Sequence, residues 1–336
     1  MYELLGITLV LALLLTINAT ATMMAAGVAR LCKPLLLRCS ARTRAEIFFV
    51  MRIAPPVVAI VAIAAFMIPS YLAYEPHTTK EFVSWKLGGL AMISAIGVGV
   101  AIWRGVRSWF ATGSLLRDWL ASATPIKLEA IDVPAFVLQH SFPIIAVVGA
   151  IRPRLFIASH VFESLSEEEL TAAIAHEYGH LAARDNFKRS VMRVSRAALL
   201  IIPCGRSLDR AWSDASESAA DEYAAQQSSL VALNLASALV RIARMIPKEE
   251  PHVMPAAVST FLIGAEDSPG VKVRVRRLVE LAATDPHLLV SNASLIRFMP
   301  WVLLSLMVIG GVAIEGRPQV LAAVHSLIEH VVTILS

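Results

Sequence analysis

The sequence is poor in charge. Only 17% of its 336 residues are Asp, Glu, Lys or Arg, while 57% are hydrophobic. A soluble domain carries about 25% charged and 45–50% apolar residues. Disorder, collagen and coiled coil are excluded by this balance, and a purely soluble domain does not fit it. Cysteine is scarce as well: Cys32, Cys39 and Cys204 are odd in number and unremarkably spaced. They form neither a disulfide framework nor a thiolate metal site, and read as free thiols of a reducing compartment. Charge of one sign is lacking too, with 30 Lys and Arg against 26 Asp and Glu. A net charge of +4 is too small to indicate direct nucleic acid binding, and none is expected. The chain has no internal repeat and no low-complexity tract.

The apolar residues fall into long runs. Crossing a bilayer core about 30 Å thick takes about 20 helical apolar residues. Residues 4–28, 53–74, 87–103 and 298–314 qualify, which makes the lipid bilayer an expected partner. Pro55 and Pro56 fall in the first turn of the second run, and the third is rich in Gly and Ala, which suits close helix packing in lipid. The first run is too long for a signal peptide and has no positive charge before it, so it reads as a retained anchor.

Arg30, Lys33, Arg38, Arg42 and Arg44 follow the first run; Arg104, Arg107 and Arg117 follow the third. Positive residues stay in the cytoplasm, which places residues 104–297 there and the N-terminus and the tail outside. The tail, 318–336, reads as an amphipathic helix on the membrane surface.

Residues 118–292 are the one stretch long enough for a folded domain. It opens with strand-like runs at 127–131, 135–139, 144–148 and 154–158, the last two linked through residues 149–153 as a hairpin turn or a bent strand pair. The free edge of a strand at 144–148 or 154–158 would suit an extended substrate; an internal strand is the competing reading. Helices are expected next. Ser166 with Glu169 forms a capping box, and Glu167 and Glu168 put negative charge at the helix start. Further helices are expected over 187–202, 208–227, 229–246 and 271–283. The intervening 247–269 is a proline-broken loop. His140 and His160 read as loop residues.

The first of these helices contains His176-Glu177-Tyr178-Gly179-His180. Histidines at i and i+4 share one helix face and can hold one Zn²⁺. The Glu beside the first His can take a proton from a bound water. A catalytic zinc needs a third protein ligand. Glu217 and Asp221 share a face of the helix that follows. One can bind metal while the other orients a ligand histidine. Glu217 is the leading ligand and Glu222 the runner-up. Ala215, Ala219, Ala220, Ala224 and Ala225 make this helix slim enough to approach the first closely. For a second oxyanion donor, Arg274, His252 and Tyr223 are the candidates.

The run His-Glu-Tyr-Gly-His-Leu-Ala-Ala-Arg-Asp, with Glu-Ser-Ala-Ala-Asp on the next helix, resembles the gluzincin membrane metallopeptidases. It looks most like the BlaR/MecR family of signalling proteases. The pattern of three spans, a zinc domain and a fourth span is similar, as is the approach Phe142-Pro143, Gly149, Arg152-Pro153 and Leu165 to Leu170. HtpX-type and CAAX-prenyl proteases share the motif with other span arrangements. The resemblance implies His176, His180 and Glu217 as zinc ligands, Glu177 as the base and Asp221 as the residue behind a ligand. In antibiotic-sensing members a penicillin-binding sensor follows the fourth span; here only residues 316–336 do, so direct β-lactam sensing is not expected.

The expected fold is thus an α-helical membrane protein of four spans with an inserted α+β gluzincin-like zinc metalloprotease domain. Residues 1–117 form the three-span membrane domain, 118–292 the cytoplasmic protease domain, and 293–336 the fourth span and tail. The expected function is zinc-dependent endopeptidase activity in the bacterial inner membrane. Its substrate is a protein or peptide, a transcriptional repressor among the candidates. A quality-control protease and a non-catalytic signalling scaffold are the alternatives.

Overall fold

The computed structural model describes residues 2–76, 83–128, 132–197, 204–246, 270–284, 294–315 and 317–335. The expected loop at 247–269, with His252, lies outside them. Helix α1 is Tyr2–Leu31, and a short α2 is Lys33–Leu36. Helix α3, Ala41–Ala62, continues through a π turn at Ile63–Met67 into α4, Ile68–Tyr74. Helix α5 is Trp85–Ser122. Four strands follow: β1 Thr124–Ile126, β2 Ala135–Leu138, β3 Ile145–Val148 and β4 Arg154–Ala158. The remaining helices are α6 Ser159–Ser164, α7 Glu167–Ala182, α8 Asp185–Ala197, α9 Cys204–Ala225, α10 Ser229–Met245, α11 Val271–Ala282, α12 Ser294–Glu315 and α13 Pro318–Leu335.

Among the described residues, α1, the α3–α4 rod and α5 are long and apolar enough to cross a membrane. Helices α12 and α13 together form a fourth candidate, bent by 100° at their junction.

Three expectations about these helices are corrected. The second begins at Ala41, capped by the Ser40 side chain, so Pro55 and Pro56 lie in the helix interior rather than in a first turn. The polar half-helix before Arg52 is held by the domain: Arg52 Nε donates to Asp209 at 2.8 Å and Lys188 Nζ to Glu46 at 2.6 Å. The π turn further along directly precedes Pro69 in α4. Proline has no N–H for the carbonyl four residues back, so the regular ladder is interrupted there.

The third helix does not end at Trp103. It contains no proline, and its 38 residues run on for about 57 Å, far beyond a bilayer core. The line between residues 117 and 118 therefore falls inside a helix. Trp119, near its end, packs edge-on against Phe156 of β4 with ring centroids 5.1 Å apart. This one element carries the chain from the apolar bundle into the core of the second half.

The tail helix α13 is not simply laid on a surface. Ile328 is buried among Leu5, Leu9, Met67, Tyr71 and Leu87. Ser70 Oγ donates to the Leu321 carbonyl at 2.9 Å.

The sheet has the order β1-β2-β4-β3. Strand β1 pairs antiparallel with β2, β2 parallel with β4, and β3 antiparallel with β4. Of the strand expected at 127–131, residues 129–131 lie outside the described residues; the described strand before them is β1, Thr124–Ile126. Pairing with β2 selects these residues, and Pro125 is tolerated because β1 is an edge strand. The hairpin β3–β4 turns at Gly149, whose φ is +105°. A Cβ there would meet the Arg152 carbonyl oxygen at 2.7 Å, so glycine is required twice over. Residues of β3 and β4 are almost wholly buried, β3 against α7, and form the main core with Ile174, Leu235, Leu239 and Leu278.

His160 lies in α6 rather than in a loop, and α8 begins at Asp185, two residues before the expected Phe187.

Candidate metal centre

Helix α7 starts with the capping box anticipated from Ser166 and Glu169: each accepts from the other's backbone N–H. The helix is rigidly started and runs through His176, Glu177 and His180 on its buried face. Helix α9 crosses it closely. A Cβ at Gly179 would lie 3.0 Å from Ala220 Cα, so only glycine against alanine permits this approach. The crossing brings Glu217 to the two imidazoles. His180 Nε2 is 3.6 Å from Glu217 Oε1, and His176 Nε2 is 3.7 Å from Glu217 Oε2. One ligand atom from each of the three residues lies within 4.8 Å of the others.

The opposite ring nitrogens are engaged by carboxylates. His176 Nδ1 is 2.9 Å from Asp221 Oδ1. His180 Nδ1 is 2.7 Å from Asp185 Oδ2, which also accepts from Ser216 Oγ at 2.6 Å. A carboxylate on Nδ1 fixes the tautomer and leaves Nε2 as the lone-pair donor, the arrangement of a metal-bound histidine. The structure thus brings together His176, Glu177, His180, Glu217 and Asp221. It does not bring Glu222, whose carboxylate accepts from the Ala41 N–H and pairs with Arg277 on another face of α9. Tyr223 packs on Tyr178 with ring centroids 5.8 Å apart.

Sequence reasoning missed Asp185. Arg184 at φ 55° turns the chain so that Asp185 folds back under His180. The αL conformation of one residue is not legible in a sequence without a glycine at that place.

Arg274 of α11, in the sequence one of three candidates for an oxyanion donor, is the second residue of consequence. Its Nη2 is 2.6 Å and its Nε 3.1 Å from Asp221, a two-point grip, and its Nη1 is 3.3 Å from Glu217 Oε2. Nη2 also lies 3.4 Å from both nitrogens of His176. Equal distances to both ring nitrogens mean that the guanidinium rests on the ring face. Arg189 Nη2 donates to Glu217 Oε1 at 3.3 Å.

The site is sealed: His176 and Glu177 are fully buried, and His180, Glu217 and Asp221 are at most 3% exposed. Burial disfavours the charged form of each group. It pushes the Glu177 carboxyl up to about 7, against the pull of His180 and of the Val147 N–H. Burial and the Arg274 charge lower His176, favouring the neutral, ligating imidazole. Burial opposes charge on His180 too, but Glu217 and Asp185 outweigh it and raise it to about 10. For Glu217, burial is outweighed by His180 and Arg274, which hold the carboxyl far below its ordinary range. Four buried carboxyl groups face two guanidiniums here. A field that raises His180 stabilises any positive charge at that point, a proton or a metal ion alike.

The residues fit a metal. Glu217 Oε2 and Glu177 Oε1 are buried without a hydrogen-bond partner, although Glu217 is ringed by cationic and imidazole nitrogens. Two imidazole nitrogens and one carboxylate oxygen are a donor set suited to zinc, with a position left open.

Strand β3 is an edge of the sheet, whereas β4 is internal. The outward-facing Val147 N–H donates to Glu177 Oε2 at 3.1 Å, and Asn186 Nδ2 donates to the Val147 carbonyl at 2.7 Å. The edge that could pair with a peptide thus runs along the site and is held by Glu177 and Asn186.

Residues 135–289 match the family model of Peptidase family M48. The matched segment spans β2 to beyond α11, and so contains all the residues of the centre. The match supports an M48-type metallopeptidase domain, and does not single out the BlaR/MecR type. No curated protein and no solved structure matches the chain.

Proposed function

We propose that this protein is a zinc-dependent endopeptidase held in the bacterial inner membrane, with its catalytic domain on the cytoplasmic side. We assign it the cutting of a cytoplasmic or membrane-proximal protein in signalling, in the manner of the BlaR/MecR proteases. The observation that carries the reading is the convergence of His176, His180 and Glu217 beside a buried Glu177 with one oxygen unpartnered. The M48 match supports the peptidase chemistry.

His176 and His180 would hold the zinc through Nε2, and Glu217 through its carboxylate. When bound, zinc supplies Lewis acidity to a water and to the substrate carbonyl. Glu177 is the proton carrier. Its Oε2 is anchored on the Val147 N–H, which leaves Oε1 to accept the proton of the attacking water and pass it to the departing amine. A carboxyl raised to about 7 suits both halves of that task near neutral pH. Asp221 and Asp185 keep the imidazoles turned with Nε2 inward. Arg274 holds Asp221 and Glu217 in register. The edge of β3 would take an extended peptide by strand addition alongside the Val147 N–H that anchors Glu177.

Substrates close to the bilayer are favoured because α9, which carries Glu217, is tied to α3 through the Arg52–Asp209 pair and the Glu222–Ala41 bond. The test is Glu177→Gln in the full-length chain in detergent. Cleavage of β-casein should fall by at least about 100-fold while bound zinc is unchanged. Wild-type cleavage by Glu177→Gln sinks the mechanism. Comparing the proteomes of cells carrying wild type and Glu177→Ala then separates one defined cut from the many cuts of quality control.

A further inference from the structure

A second group of metal-ligating side chains lies outside the centre described above. Glu75 follows the last residue of α4, and His325 and Glu329 are one turn apart on α13. One ligand atom from each lies within 4.8 Å of the others. Glu75 is 7% exposed, and His325 Nδ1 is buried with no hydrogen-bond partner among the described residues. We infer that Glu75, His325 and Glu329 form a binding site for a divalent transition-metal cation that clamps the tail helix to the end of the second apolar helix.

Packing holds the ligands in place without a metal. Tyr74 OH donates to the Pro318 carbonyl at 3.1 Å, and Ser70 Oγ to that of Leu321. The His325 ring stacks on Tyr74 with centroids 5.8 Å apart. Three residues further on, Ile328 is buried in the apolar core. The Tyr74 ring therefore sets the plane of the imidazole, and the buried Ile328 fixes the helix that carries it. Its spacing to Glu329 is i, i+4, so both project from one face.

The donor set selects the ion. One imidazole nitrogen and two carboxylates suit Zn²⁺ and its first-row neighbours. Ca²⁺ and Mg²⁺ prefer oxygen ligands only, and more of them. Three protein ligands leave room for a water. Two carboxylates neutralise the charge of a divalent ion, which suits a partly buried place.

Position separates this site from the first. Arg52, where α3 meets the catalytic domain, and Tyr74 are 22 residues apart along one continuous helical rod. That is about 33 Å, one bilayer core. On the topology proposed above, the second site faces the outside while the protease centre faces the cytoplasm.

The test is the zinc content of full-length protein in detergent at equilibrium with zinc ions. Glu75→Gln/His325→Ala should bind one equivalent fewer than wild type. Zinc retained at His176 and His180 shows that this variant is folded. In a His176→Ala/His180→Ala background one equivalent should persist and vanish when Glu75→Gln/His325→Ala is added. Excess Ca²⁺ should not displace it. Exposed His330, changed to Ala, should leave the stoichiometry alone. Equal zinc content in wild type and Glu75→Gln/His325→Ala overturns the inference. One equivalent in wild type and none in that variant would leave the inference standing and fail the protease reading instead.

Discussion

Asp185 Oδ2 lies 2.7 Å from His180 Nδ1, five residues back along the chain. The contact crosses a helix end: His180 sits in the last turn of α7 and Asp185 opens α8. The two helices are therefore joined at the site itself, and the turn between them sets the direction of a ligand nitrogen.

Asp185→Asn should weaken metal binding by about 10–100-fold, because an amide neither fixes the imidazole tautomer nor raises its basicity as a carboxylate does. Zinc competition against a chromophoric chelator measures this. Ser216→Ala removes one bond to the same oxygen and should have a smaller effect. An unchanged affinity in Asp185→Asn would show that the contact does not serve the metal.

Much of this centre was legible in the sequence because it is local. The capping box, the i, i+4 histidines and the Glu217–Asp221 pair depend only on helical geometry. Slim alanines on α9 also announced a close crossing, and Ala220 against Gly179 provides it. The rest depends on tertiary folding. Asp185 reaches the site through one αL residue, and Arg274 comes from a helix 53 residues beyond Asp221. The unbroken α5 was hidden because its apolar pattern stops at Trp103 while its hydrogen-bond ladder does not. Composition can change along a helix without any change in its backbone.

Gly179→Ala should separate α7 from α9. The new methyl would sit 3.0 Å from Ala220 Cα and 3.2 Å from Tyr223 Cβ, where backbone rather than a flexible tip must give way. Overpacking of this kind costs about 1–3 kcal/mol. Thermal unfolding should show the loss, and zinc affinity should fall with it because Glu217 rides on α9. A stable variant with normal zinc binding would mean that the crossing is looser than described.

The buried pair Arg52–Asp209 offers a test of how the two halves are joined. Arg52 is 1% exposed, and its Nη1 already lacks a hydrogen-bond partner. Asp209→Leu strands a buried guanidinium and should destabilise by about 3–5 kcal/mol. Arg52→Met/Asp209→Leu removes both charges and should recover most of that loss. Chemical denaturation in mild detergent compares them. If the double variant is no better than the single one, the pair contributes shape rather than charge compensation.

Arg274 is the most demanding case, because it touches both Asp221, which lies behind the His176 imidazole, and Glu217 on the other side of it. Arg274→Ala leaves Asp221 and Glu217 facing each other's charge in a sealed site, and should cost about 3–5 kcal/mol. Arg274→Lys keeps the charge but loses the fork that grips Asp221 through both Nε and Nη2. It should fold close to normally and bind zinc, yet with His176 less firmly oriented. A positioning role then predicts a fall in kcat with little change in KM, partly reversed by excess zinc. Folding, zinc affinity and both kinetic constants must be read on the same preparation. If Arg274→Lys equals wild type in all of them, the fork is dispensable and a point charge near Asp221 is all that the site requires.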